Sequence, residues 1–281
     1  MILNKVAAFS LNNQGGNPAG VAIVDEMPEA EEMLKIAKDV GYSETAFLHK
    51  HQDGWRIRYF APEMEVPFCG HATIATAFVL GNNHGEGQYK LYLNDGDISV
   101  SVTKSGSSHS SDTLNVSLQS PKTSTEPAPA VFVESILTAF GLSQDDVNPD
   151  FPIRLAYAGA KHLVIVLKDH GKLKEMHYDF DTVKALMESE GLVTINLLWN
   201  ASDNTFHSRN PFASGGVYED PATGAAAAAF AGYLRDINWS GDSFFEIFQG
   251  EDMGVASHLL VEYQPEVGSS IKVSGVARYI D

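Results

Sequence analysis

A chain of 281 residues, 44% hydrophobic and 20% charged, is long enough for one large globular domain or two of ordinary size, and its composition is neither disordered nor fibrous. Thirty-six Asp and Glu against nineteen Lys and Arg set the net charge at −17. Such a surface repels phosphate backbones and anionic lipid, so neither nucleic acid nor membrane is expected as a partner, and an anionic substrate would need positive potential supplied locally.

Residues 4–10 predict a first strand and residues 20–24 a second, joined by a Gly-rich turn. The segment before that turn lacks the charged start and small-residue cleavage site of a signal peptide, and a cytosolic protein is expected. Over residues 28–40, Met33, Ile36, Ala37 and Val40 share one helical face, and Gly41 stops the helix. Residues 44–49 and 55–60 read as strands around Gln52-Asp53-Gly54, and a helix spans 70–80. A further hairpin, 89–93 and 98–103, turns at Asn94-Asp95-Gly96.

Residues 105–111 read as a solvated loop, and 119–130, with three prolines, as a linker. Beyond it come a helix (131–140), a buried strand (162–167), a helix capped by Asp179 (180–189) and a strand (194–199). An Ala-rich helix over 224–234, strands at 244–248 and 258–263, and a closing segment at 271–280 complete the chain. The lone cysteine, Cys69, excludes an internal disulfide and reads as a small buried thiol. The ten histidines show no HExxH or Cys/His metal spacing, so no metal is expected.

The chain carries an internal echo. Residues 70–80 align without gaps on 224–234, with Gly70/Gly224, Ala72/Ala226, Ala75/Ala229, Ala77/Ala231 and Leu80/Leu234 identical; residues 16–24 likewise resemble 159–167. Two matches in the same order at similar offsets point to a duplication. Each half would wrap strands around a helix that is apolar nearly all round and therefore buried. The expected architecture is α+β, with halves at 1–120 and 121–281 and the terminal strand free to cross to the first half.

Both buried helices open with a glycine after a polar approach, Cys69-Gly70-His71 and Thr223-Gly224. A helix start offers unpaired N–H groups and partial positive charge, and glycine lets a ligand come close. One such glycine is ordinarily just a tight strand end; the repeated pair favours a carboxylate site between the halves. Glu44, His71 and Asp220 are the titratable candidates nearby in sequence. Composition and spacing leave each with an ordinary alternative: a solvated strand end, a core histidine and a helix cap.

The chain resembles the phenazine biosynthesis (PhzF-like) isomerase family, which shares the diaminopimelate epimerase fold. The resemblance is carried by Gly16-Asn17-Pro18-Ala19-Gly20, Tyr42-Ser43-Glu44-Thr45-Ala46-Phe47, Ile57-Arg58-Tyr59-Phe60-Ala61-Pro62 and Glu65-Val66-Pro67-Phe68-Cys69-Gly70-His71-Ala72-Thr73. In the second half it is carried by Ser208-Arg209-Asn210-Pro211-Phe212, Glu219-Asp220-Pro221-Ala222-Thr223-Gly224, Gln249-Gly250 and Met253-Gly254. It implies two pseudo-symmetric halves, each a curled antiparallel sheet around a central helix. It further implies Glu44 as acid/base, His71 and Asp220 as its catalytic partners, and a carboxylate substrate bound at Gly70, Ala72, Thr223, Gly224 and Ala225. The implied reaction is cofactor-independent transfer of a proton between carbons, in a homodimer. Two positions depart from the family: Ala225 stands where a serine often follows the Thr-Gly, and Gly254-Val255-Ala256-Ser257 lacks an arginine. A substrate other than dihydro-hydroxyanthranilate is expected, and not phenazine biosynthesis. A two-thiol racemase or epimerase, a lyase and a non-catalytic binding protein are the alternatives on this fold.

Overall fold

The computed structural model describes residues 1–104 and 114–281, so the loop expected over residues 105–111 lies outside the described residues. The first half comprises β1 (Ile2–Ala8), β2 (Asn17–Ile23), α1 (Ala30–Val40), β3 (Glu44–His51), β4 (Gly54–Phe60), β5 (Glu65–Val66), α2 (Gly70–His84), β6 (Gly87–Leu93), β7 (Gly96–Lys104) and β8 (Leu114–Gln119). The second begins with β9 (Ser124–Pro127), α3 (Ala130–Ala139), β10 (Arg154–Tyr157), β11 (Lys161–Leu167), α4 (His170–Lys174), α5 (Phe180–Glu190) and β12 (Thr194–Ser202). It continues through β13 (Thr205–Phe212), β14 (Val217–Asp220), α6 (Gly224–Asp236), β15 (Phe244–Gln249), β16 (Ser257–Glu262) and β17 (Lys272–Tyr279). Among the described residues no helix is long and apolar enough to cross a membrane.

Local chemistry explains most of these elements. Met33 and Ala37 bury one face of α1, and Gly41 ends it in the left-handed region at φ 75°, its N–H bonded to the Ala37 carbonyl. Asp179 caps α5 by accepting from Thr182 N at 2.9 Å. The expected linker over 119–130 is corrected in part: β9 forms within it and pairs antiparallel with β10, Ser124 opposite Tyr157. Its Ser-Thr-Glu-Pro sequence carries no apolar alternation, so only the partner strand makes it a strand. The short β5, β10, β14 and α4 escape sequence periodicity for want of length, and β8 and β13 stand outside the strands that the sequence predicts.

The pairing pattern repeats. In the first half β1–β2 is antiparallel, β2–β3 parallel, β3–β4 antiparallel, β4–β6 parallel, and β6–β7 and β7–β8 antiparallel. The order β10–β11–β12–β13–β15–β16–β17 repeats that series in the second half. The halves are stitched where β17 pairs antiparallel with β8 through Lys272–Val276 and then with β1 through Ala277–Tyr279. In the same way the chain leaving β8 continues into β9 and pairs with β10. Each half thereby becomes a closed barrel, completed by a strand that it shares with the other.

Inside each barrel lies one helix. Residues 70–81 of α2 and 224–235 of α6 are all buried. A helix with no polar face has no stable position except the interior of such a barrel. The strand register agrees with the alignment of 16–24 on 159–167, since Ala19 pairs with Glu44 as His162 pairs with Thr194. The match also extends further back: Glu65-Val66-Pro67-Phe68-Cys69 overlays Glu219-Asp220-Pro221-Ala222-Thr223 directly before the two glycines. Thr194 is therefore the counterpart of Glu44, Val66 of Asp220, and Thr223 of Cys69. Arg58 and Arg209 are equivalent too, each bonded through Nε to a counterpart glutamate, Glu65 at 2.8 Å and Glu219 at 2.9 Å.

The equivalent ion pairs differ in burial, and that difference is testable. The Arg209 and Glu219 side chains are 10% and 4% exposed against 21% and 26% for Arg58 and Glu65. Arg209 also donates to the Lys174 carbonyl at 2.8 Å, anchoring the end of α4. Truncating one partner of a buried pair strands the other charge and costs about 3–5 kcal/mol, whereas a half-exposed pair is worth about 0–1 kcal/mol. In urea unfolding, Arg209→Ala should lower the midpoint far more than Arg58→Ala; equal shifts would contradict this assignment.

Candidate active site

The two buried helices start against one another. A Cβ on Gly70 would stand 2.9 Å from both Ala225 N and Gly224 Cα, and one on Gly224 would stand 3.4 Å from Gly70 Cα. Only glycine at position 70 allows this approach. The first-turn N–H groups of α2 and α6, which have no acceptor within their own helices, are thus gathered at the seam between the barrels.

Around this seam the structure brings together all three titratable residues singled out from the sequence. Glu44, His71 and Asp220 are 5%, 3% and 4% exposed. Glu44 begins β3, held in place by its parallel pairing with Ala19 of β2. Its Oε2 lies 3.3 Å from His71 Nε2, yet it is buried with no hydrogen-bond partner. His71, on the first turn of α2, has Ser43 Oγ at 3.4 Å from Nε2 and Cys69 Sγ at 3.4 Å from Nδ1.

Asp220 is held differently, with both oxygens engaged. Asn17 Nδ2 donates to Oδ1 at 2.7 Å and Thr223 Oγ1 donates to Oδ2 at 2.5 Å. Asn17 also donates to the Ala222 carbonyl at 3.0 Å, so one amide from β2 ties the first half to the start of α6. Gln249, at the end of β15, accepts from Thr223 N at 3.1 Å and donates to the Asp220 carbonyl at 2.6 Å. Asn17, Ser43 and Gln249 had no role in the sequence reading. Their only signal was that each lies inside a motif, Gly-Asn-Pro-Ala-Gly, Tyr-Ser-Glu-Thr and Gln-Gly. Gly70, Ala72, Thr223, Gly224 and Ala225 all lie at the helix starts and are buried.

Burial dominates the electrostatics. Desolvation, reinforced by the Asp220 charge and opposed by hydrogen bonds from Ser43 and Cys69, pushes the Glu44 carboxyl up to about 8. Desolvation also pushes Asp220 up to about 6, against the hydrogen bonds from Thr223 and Asn17 that favour its anion. His71 is driven down to about 3 by burial and is a neutral imidazole at pH 7. Burial pushes the Cys69 thiol well above its ordinary value, with the Glu44 charge adding to the effect. A carboxyl poised near neutrality beside a neutral imidazole and a set of backbone N–H donors can take a proton from carbon and give it back.

A family model described as phenazine biosynthesis-like protein, PhzC-PhzF, matches residues 6–280. The chain is 28% identical to the uncharacterized isomerase YfhB of Bacillus subtilis, over 98% of this chain and 95% of that one. It is 32% identical to the uncharacterized isomerase YddE of Escherichia coli K12, over 82% of this chain and 77% of that one. Among solved structures, a predicted epimerase from Pseudomonas aeruginosa superposes with a TM-score of 0.84 at 22% identity, covering 99% of this chain and 96% of that one. That likeness shows the fold, which is the diaminopimelate epimerase-like arrangement.

The titration of Glu44 makes stability pH-dependent in a definite direction. Its carboxyl, ordinarily near 4.5, holds its proton in the folded chain up to about 8. Between those values the native state binds a proton that the unfolded chain has released, so rising pH weakens the fold. His71 acts oppositely, with stability rising as pH climbs from about 3 to its ordinary 6.5. Above that point Glu44 is the titrating member of the pair. Glu44→Gln should therefore gain stability relative to wild type as pH is raised toward 8 and level off beyond it. Urea midpoints across pH 6.5–9 that move in parallel for both proteins would overturn the assignment.

Proposed function

The chain belongs to the phenazine biosynthesis-like protein family, and from that premise we propose that it is an isomerase that moves a proton between carbons of a small carboxylate substrate, with Glu44 as the single acid/base. The observation that carries this reading is the buried Oε2 of Glu44, which lies 3.3 Å from His71 on the first turn of α2 and has no hydrogen-bond partner. Both oxygens of Asp220 are already engaged, which suits Asp220 to orienting rather than transferring a proton.

In this reading the substrate carboxylate rests on the first-turn N–H groups of α2 and α6. Ionised Glu44 removes a proton from the adjacent allylic carbon, and negative charge spreads toward the carboxylate that those donors hold. Protonated Glu44 then delivers to the far carbon of the allylic system. Burial keeps water from competing for the proton during the exchange. Neutral His71 touches Glu44 without carrying a charge that would fix it in the ionised state. The pseudo-dyad counterpart of Cys69 is Thr223, whose hydroxyl is committed to Asp220, so the two-thiol chemistry of an epimerase finds no second thiol. Ala225 and the missing arginine after Gly254 keep the substrate distinct from that of phenazine biosynthesis.

The test is to incubate the protein with a panel of small β,γ-unsaturated carboxylates in deuterated water and follow double-bond position and deuterium uptake by NMR. Wild type should shift the double bond, and Glu44→Gln should be slower by about 10²–10⁴-fold, the usual worth of a positioned acid/base. Inversion at a stereocentre with no double-bond movement would assign an epimerase instead. A carboxylate bound equally well by wild type and Glu44→Gln, with no turnover by either, would assign a binding protein.

A further inference from the structure

Glu44, Cys69 and His71 form a cluster whose donor atoms, a carboxylate oxygen, a thiol sulfur and a ring nitrogen, all lie within 4.8 Å of one another. His71 Nε2 is 3.3 Å from Glu44 Oε2 and 3.9 Å from Cys69 Sγ. Tetrahedral zinc, with bonds of about 2.0–2.3 Å, holds its donors roughly 3.2–3.7 Å apart. Both edges to His71 are thus within a few tenths of an ångström of that spacing, and the remaining edge, from Cys69 to Glu44, spans no more than 4.8 Å. Glu44 is 5% exposed and its Oε2 has no hydrogen-bond partner, so a buried acceptor already points into the cluster. Among the described residues no lysine or arginine hydrogen-bonds to Glu44, Cys69, His71 or Asp220, and the side chains that do are neutral.

We propose that Glu44, Cys69 and His71 constitute a three-ligand site for a thiophilic divalent cation of the zinc class, whose binding ties up Glu44 and so switches off acid/base chemistry at the seam. The donor set of sulfur, imidazole nitrogen and carboxylate oxygen selects zinc-like ions over magnesium or calcium, which prefer oxygen alone. Three protein ligands leave a fourth position for water or an anion. On binding, a metal–sulfur bond replaces the Cys69 S–H bond and a metal–oxygen bond forms at Glu44. Protons displaced from these groups pass to the buffer. No electron is transferred. Sequence spacing could not announce this site, because Cys69 and His71 are two apart on one helix start and the third ligand comes from β3.

Cobalt(II) is the probe, and the single cysteine of the chain makes it unambiguous. One equivalent of cobalt(II) added to the chelator-treated full-length protein should produce a near-ultraviolet thiolate-to-cobalt band together with intense visible bands of tetrahedral cobalt. One equivalent of zinc should bleach both. Cys69→Ala should abolish the near-ultraviolet band, and Glu44→Gln should weaken zinc binding by at least tenfold in competition with a chromophoric chelator while the near-ultraviolet band persists. Absence of the thiolate band in wild type, or zinc affinity unchanged in Glu44→Gln, would overturn the site. The readout needs no turnover, so its failure leaves the isomerase reading standing, and a failed isomerase assay leaves the metal site standing.

Discussion

The structure depends on one contact, the meeting of two buried helix starts at Gly70 and Gly224. Each helix is apolar nearly all round, is buried along most of its length and is accommodated inside a closed barrel. Two barrels that share their closing strands hold the helices end to end, and a Cβ at Gly70 would lie within 2.9 Å of the opposing backbone. The first-turn N–H groups of both helices are thereby placed in a low-dielectric seam, where unsatisfied donors are expensive. Asn17 and Gln249 are ordered by the same requirement. Gln249 satisfies the Thr223 N–H, and Asn17 bridges the Asp220 carboxylate and the Ala222 carbonyl.

A symmetric scaffold here carries asymmetric chemistry. The counterpart of Glu44 is Thr194, whose hydroxyl lies 2.8 Å from His162 Nδ1 and 2.9 Å from Asn210 Oδ1 within a buried polar network. The counterpart of Asp220 is Val66, and that of Cys69 is Thr223. Each half therefore contributes one carboxyl, at different positions. The carboxyl from the second half has both oxygens hydrogen-bonded, whereas the one from the first keeps its Oε2 without a partner. Duplication supplied the geometry, and divergence at three equivalent positions left the two carboxyls in different surroundings.

The electrostatics of the seam run against those of the surface. A chain of net charge −17 repels anions at long range, but helix dipoles act over one turn and are strongest where water is excluded. The same exclusion raises Glu44 into the neutral range and keeps His71 uncharged. One physical cause, desolvation, thus raises one carboxyl, neutralises its imidazole neighbour and strengthens the field of the helix starts.

Much of this was legible in the amino-acid sequence. The all-apolar helices at 70–80 and 224–234 and their gapless alignment gave the duplicated α+β architecture, because burial on every side is a property of composition along one helix. The motifs around Glu44, His71 and Asp220 singled out the residues that the fold gathers. Other features were decided only by the folded chain. The strand at Ser124–Pro127 exists because β10 pairs with it, and the counterparts Glu44/Thr194 and Val66/Asp220 emerge from register rather than from similarity. Proton affinities belong to the same class. A carboxyl's pKa is fixed by what surrounds it in space, and Asp220, 176 positions along the chain from Glu44, acts on it only once both barrels have closed.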